Sequence, residues 1–294
     1  MNKLDFGPLI TAVVTPFDTH HHVDIFQLEK LLIHLLDQGS TSILVTSLMG
    51  EGQTLNSVEK LRMWESTVDF VGDQLPVIAD VGTNNTKTTL HNVRLAEEAD
   101  VDALLVVVPY YNKPTQQGLL THFREVAAST ELPILLYNDP RRCGIGLELE
   151  TILDLAQLKN VVGVVDVSHG LDLIRKVKDA APEDFLVYSG DDRWYLGNLK
   201  LGGVGGLSTA SHFVGKSMRT IFDLYRRGHV DEAEILNSRL IPLYQITSNE
   251  VGPASVKALL NQGDFDVGGV RLPLVDLEAV QVNTLWEVVS NLLD

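Results

Sequence analysis

The chain holds a single cysteine, Cys143, in 294 residues. One thiol forms no intrachain disulfide and no Cys-x-x-Cys metal site. Basic residues are scarce as well: 23 Lys and Arg face 39 Asp and Glu, a formal net charge of −16. No Lys/Arg run interrupts that bias, so the footprint of a nucleic-acid or anionic-membrane binder is missing. A small anionic ligand stays open, because one local arginine overcomes a global bias. No stretch reaches the roughly 18 apolar residues that a membrane helix needs. The first segment, Met1 to Pro16, has Asp5 and Pro8 within a short apolar run and does not read as a secretory leader. The expectation is a soluble protein in a reducing, cytoplasmic setting.

What is present is a regular alternation. Short apolar, β-branched runs stand at Leu9–Val14, Ser42–Thr46, Pro76–Val81, Ala103–Val108, Ile134–Asn138, Val161–Val165, Phe185–Ser189 and Val204–Ser208. Their near-continuous apolarity suits parallel strands buried on both faces. Amphipathic stretches with readable ends lie between them. Asp24 is placed to cap a helix through Leu36 with Gly39 beyond its end, and Asn56 with Glu59 has capping-box spacing. Thr115, Asp191 and His212 stand near later helix starts. About eight strand–helix units predict a (β/α)8 TIM barrel over residues 1–213. A helical C-terminal extension follows over 214–294, with no linker to mark a second domain. The glycine cluster Gly202-Gly203-Val204-Gly205-Gly206 has the wrong spacing for a dinucleotide loop and reads as close backbone packing.

Several strand ends carry polar segments. Tyr137-Asn-Asp-Pro-Arg-Arg142-Cys-Gly144 follows the fifth strand, Tyr110-Tyr111-Asn-Lys-Pro114 the fourth, and Ser189-Gly-Asp-Asp192 the seventh. Together with Pro253-Ala-Ser-Val-Lys257 and Arg271-Leu-Pro-Leu274, they make the chain from Pro8 to its end resemble the dihydrodipicolinate synthase/N-acetylneuraminate lyase family of Schiff-base aldolases. That resemblance implies a pyruvate or 2-keto-acid lyase, with Tyr137 as a proton relay and Arg142 meeting a substrate carboxylate. It implies that one tyrosine of the Tyr110-Tyr111 pair, taken as Tyr111, reaches into a neighbouring subunit's relay. Leu207, on the eighth strand, joins the expected substrate-binding set.

Two departures stand out. The family's sixth strand ends Gly-Ile-Lys, and its lysine forms the imine with the keto acid. Here the strand reads Gly163-Val164-Val165, and valine has no amine. The family's Gly-Thr-Thr-Gly-Glu is Ser47-Leu48-Met49-Gly50-Glu51 here, so the hydroxyls that would hold a keto-acid carboxylate are gone. Leaving a buried carboxylate without such partners costs about 1–3 kcal/mol each. Two losses at one site favour a natural change of function over a single knock-out.

Substitute chemistries are weighed against blander readings. Lys113, Lys159 and Lys200 read as loop or helix residues, not strand-end amines. His20-His21-His22, His169 and His212 fall on the mouth side, but no His-x-His or His-x3-His spacing makes a metal site. Asp80 and Asp166, near strand ends, read as caps or ion-pair partners. Tyr137 alone could be a packed strand residue, Arg142 a surface ion pair and Tyr110-Tyr111 interface packing. The expected function is therefore binding of a small molecule, a keto acid or sugar acid, in a modified pocket without Schiff-base aldolase activity. A lyase or isomerase using Tyr137 and a mouth histidine is the alternative, and a purely structural subunit the third. No cofactor and no metal are expected, and the assembly expected is a homodimer or homotetramer.

Overall fold

The computed structural model describes residues 5–168, 170–248 and 252–293. Eight parallel strands close on themselves in sequence order: β1 (Leu9–Ala12), β2 (Ser42–Val45), β3 (Val77–Asp80), β4 (Ala103–Val107), β5 (Ile134–Asn138), β6 (Val161–Asp166), β7 (Leu186–Ser189) and β8 (Gly205–Ser208). β1 pairs with both β2 and β8, so no edge is left open. This is the TIM barrel that the alternation of apolar runs predicts. Each strand lies within one or two residues of its expected limits, and nearly every strand residue is buried.

The first helices start where capping side chains stand. In α1 (Ile25–Asp37) the Asp24 carboxylate accepts from Gln27 N, and Leu28, Leu31, Leu32 and Leu35 form the buried face. In α2 (Ser57–Val71) Asn56 and Glu59 close a reciprocal capping box. α3 (Thr86–Glu98) and α4 (Gln116–Ala128) are capped by Asn85 and Thr115. The short α5 (Pro140–Cys143) follows β5, with Asp139 accepting from Arg142 N and proline in the first turn. Then come α6 (Leu149–Leu155), α7 (Asp172–Ala180), α8 (Tyr195–Lys200) and α9 (Ser211–Arg226).

The sequence boundary at 213/214 falls inside α9. Val214 is non-helical, at φ −125°, but the helix runs on to Arg226. α9 packs on β1 and α1 and so completes the ring around the barrel. The extension proper is α10 (Val230–Thr247), α11 (Gly252–Gln262) and α12 (Ala279–Leu293). Pro242 lies inside α10.

One polar cluster fastens the extension to the barrel mouth. Lys257 Nζ lies 2.7 Å from Glu51 Oε1, both side chains being almost fully buried. The ammonium also donates to Gly269 O at 2.8 Å and sits 4.0 Å from the Phe17 ring centre. Arg271 covers the same ring, donates its backbone N–H to Glu51 Oε2 at 2.8 Å, and pairs with Glu59 at 2.6 Å. Burial pulls Lys257 down to about 8, with the Glu51 carboxylate opposing that fall.

Candidate active site

The strand C-termini surround a cavity of ≈ 240 Å³. Its inner wall is apolar: Ala12, Leu44, Leu105, Val107, Val167 and Leu207. Leu48 and Met49 cover one side, and Thr247, Ser248 and Gly252 bring the extension over the rim. A Cβ at Gly252 would stand 3.2 Å from Met49 Sδ, so a side chain there would press on this wall. The charged lining residues are Asp80, Asp139, Arg141 and Arg142.

Strand register explains the placement. Val107 pairs with Tyr137, and Tyr137 with Val165, so the three side chains share a level of the barrel. Tyr137 lines the cavity. Burial and the nearby Asp139 push its phenol far above the usual range, against the opposing pull of Arg142. It is a neutral hydroxyl that donates or accepts a proton bond, not a phenolate. Val165, at the position the resemblance assigns to the imine lysine, has no exposed surface and does not line the cavity. Gly190 lets the next strand close over it: a Cβ there would meet Val165 Cγ1 at 3.0 Å and Val167 Cγ2 at 2.5 Å.

Arg142 lines the cavity with a partly exposed side chain, and Asp139 holds it through its backbone N–H at 3.3 Å and its Nε at 3.7 Å. Arg141 leans on the same carboxylate at 3.9 Å. Cys143 also faces the cavity, but burial pushes its thiol up to about 12, which keeps it protonated.

Asp80, a cap or ion-pair residue by its sequence, stands at the end of β3 and also lines the cavity, 7% exposed. Oδ1 accepts from Gly82 N at 3.1 Å, and Thr46 Oγ1 donates to the Asp80 main-chain carbonyl at 3.4 Å. Burial raises the carboxyl to about 7, while the Lys60 charge opposes the rise without forming an ion pair. The sequence signal was an acid ending the otherwise apolar run Val77-Ile78-Ala79. Asp166 does keep to structure: it accepts from Asn138 Nδ2 at 2.7 Å and from Ser168 Oγ.

Among the described residues, no histidine lines the cavity. His212 is fully buried, shares Nδ1 with Thr209 O at 2.8 Å, and takes the Val14 N–H on Nε2 at 3.4 Å. Burial lowers it to about 4, which leaves a neutral ring fixed inside the fold. His20 and His22 are solvent-exposed beside Asp18, and His169 lies outside the described residues. No group of three His, Cys, Asp or Glu able to hold a metal occurs among the described residues. Lys159 and Lys200 pair with Glu131 and Glu234, Lys113 is exposed, and no lysine is among the lining residues. Tyr111 does not line the cavity of its own chain and is 90% exposed; Tyr110 lines it instead.

The dihydrodipicolinate synthetase family profile matches residues 5–292. The chain belongs to that family. The 4-hydroxy-tetrahydrodipicolinate synthase of Bacillus subtilis is 41% identical over 290 residues, covering 98% of this chain and all of that one. The dihydrodipicolinate synthase crystal structure from Bacillus anthracis superposes with a TM-score of 0.96 at 36% identity, covering 98% of this chain and 99% of its own. A monomeric dihydrodipicolinate synthase variant gives a TM-score of 0.93 at 35% identity, covering 97% of this chain and 96% of that one. Family membership therefore spans the barrel and the extension together. No helix among the described residues is long and apolar enough to cross a membrane.

Proposed function

We propose that this family member binds a small carboxylate-bearing molecule in the mouth cavity and performs no Schiff-base aldol chemistry. The observation that carries the reading is the lining itself: guanidinium groups of Arg141 and Arg142 are present, and among the described residues a lysine is not. An imine needs an amine within bonding reach of the keto carbon, and Val165, beside Tyr137 on the next strand, is fully buried and carries none. Leu48 and Met49 supply no side-chain donors for a keto-acid carboxylate. Arg142, backed by Asp139, offers a forked donor suited to a carboxylate.

The assembly we infer is a homodimer built around the Tyr110-Tyr111 loop. Tyr111 holds φ +75°, a left-handed conformation uncommon for a bulky residue, and presents its ring to solvent. Such an aromatic covers a large area at an interface with little loss of side-chain freedom.

The test of the binding reading is a thermal-shift series of keto acids, sugar acids and simple carboxylates, since a ligand that binds only the folded state raises the midpoint. A borohydride trap with pyruvate, read by mass spectrometry, runs beside it. The expected result is a shifted midpoint for at least one carboxylate and no mass added by pyruvate. A pyruvate adduct on the unmodified protein sinks the reading.

A further inference from the structure

We propose that the ligand carries a protonated amine and that Asp80, with the hydroxyl of Ser47, forms the seat for that ammonium. This deepens the carboxylate-binding reading and rests on it for the far end of the ligand, at Arg142.

Of the two acids among the described lining residues, Asp80 is the one whose bonding capacity is left open. Asp139, the other acid of the cavity, is occupied by Arg141 and Arg142. Asp80 accepts a single side-chain hydrogen bond, on Oδ1, from Gly82 N. Its other oxygen has no hydrogen-bond partner among the described residues, and Lys60 acts on it only at a distance. A buried carboxylate left this way is costly until a cation or donor completes it.

A second observation points into the same space. The Ser47 hydroxyl lines the cavity, is buried, and has no hydrogen-bond partner. Ser47 follows Thr46, whose hydroxyl reaches the Asp80 carbonyl, so the end of β2 lies against the end of β3. An ammonium has donors for both the free carboxylate oxygen and the serine oxygen. Leu44 and Leu105 beside them exclude water, which strengthens a charge-assisted bond.

Other occupants fit less well. A keto-acid carboxylate placed against the Ser47–Met49 segment would face the Asp80 carboxylate at close range in an apolar surround. A divalent metal would find too few ligands, since no group of three His, Cys, Asp or Glu able to hold one occurs among the described residues. The end of the cavity that the resemblance would give to an anion is, by its charge, a cation seat.

The decisive experiment is calorimetric titration of the whole protein at pH about 8, above the Asp80 titration near 7. The probes are straight-chain ω-amino acids of graded length, each paired with the acid of equal length that lacks the amine, and plain alkylamines. The expected result is one length at which the amino acid binds about tenfold or more tighter than its partner acid. Asp80→Asn levels that pair while leaving the acid's affinity in place, and Asp80→Glu recovers part of the difference. Equal affinity within every pair, or a preference that survives Asp80→Asn, overturns the proposal. Arg142→Leu tests the other end: it weakens acids and amino acids alike and spares the alkylamines. If alkylamines bind through Asp80 but carboxylates add nothing, the carboxylate reading falls and the ammonium seat stands. If acids bind and the amine adds nothing, the reverse holds. A series in which nothing binds removes both.

Discussion

Two buried carboxylates at the barrel mouth each face a buried lysine, and they differ in how completely they are satisfied. Glu51 has Lys257 at 2.7 Å and the Arg271 N–H at 2.8 Å, and the lysine in turn is held by Gly269 O and the Phe17 ring. Asp80 has one N–H and a lysine that forms no ion pair with it. The first set is closed and ties the extension to the barrel. The second leaves bonding capacity directed into a cavity. Burial and charge are common to both, so neither identifies a site. The unfilled valence does, because a folded protein rarely leaves a buried charge incomplete unless something else completes it.

Breaking the closed side should give the largest effect. Lys257→Met strands the Glu51 carboxylate and should cost about 3–5 kcal/mol of stability in urea unfolding. Adding Glu51→Gln should recover part of that loss. A Lys257→Met protein as stable as the parent would mean that the two regions do not differ in kind.

The open side should respond in the opposite sense. Asp80 titrates near 7 when folded against an unfolded value near 3.8, so the folded state holds a proton that the unfolded chain has released. Its contribution to stability therefore falls as pH rises from about 4 to about 7 and stays low above that. Asp80→Asn should stabilise the protein at pH 8 by about 2–4 kcal/mol, with little gain at pH 4. Urea unfolding of both proteins across that range checks the slope. A variant less stable than the parent at pH 8 contradicts the open-valence account.

A smaller shift should follow Lys60→Met. Lys60 opposes the rise in Asp80, so its removal should move the carboxyl titration upward by about half a unit to one unit. Carbon-13 NMR of labelled aspartate reads it directly; an unmoved midpoint means that Lys60 is not the compensating charge.

The smallest expected effect is none at all. Val165→Lys alone should yield no pyruvate condensation and no borohydride-trapped adduct, because the new amine would enter a cavity with Asp80 on one side and Leu48 and Met49 on another. Restoring Leu48→Thr and Met49→Thr with it supplies the hydroxyls that position a substrate and move its protons. An adduct from the single variant would show that the missing amine is the whole difference.

The barrel was legible because strand and helix periodicities are local properties. Asp24, Asn56 and Thr115 cap the helices that their spacing announced. Tyr137, Arg142, Leu48, Met49 and Leu207 were legible as a group because they end strands or follow them, and the barrel brings them to one cavity. Asp80 was not, since an acid at a strand end has the same local pattern whether it caps a turn or faces a pocket. Thr247, Ser248 and Gly252 reach the rim through packing of a distant helical segment, which no local period encodes. His212 shows the same limit: its place after β8 puts it on the mouth side, but burial and two backbone partners decide what it does.

The turn after β2 has left-handed backbone at Thr46 and again at Glu51, φ +59° and +51°. Between these bends Ser47, Leu48 and Met49 face the cavity, while Glu51 turns away to the extension. Neighbouring positions in one short loop thus serve two separate parts of the molecule. Exchanging the three inward residues would change the cavity wall, while the outward one would go on tying the loop to the extension.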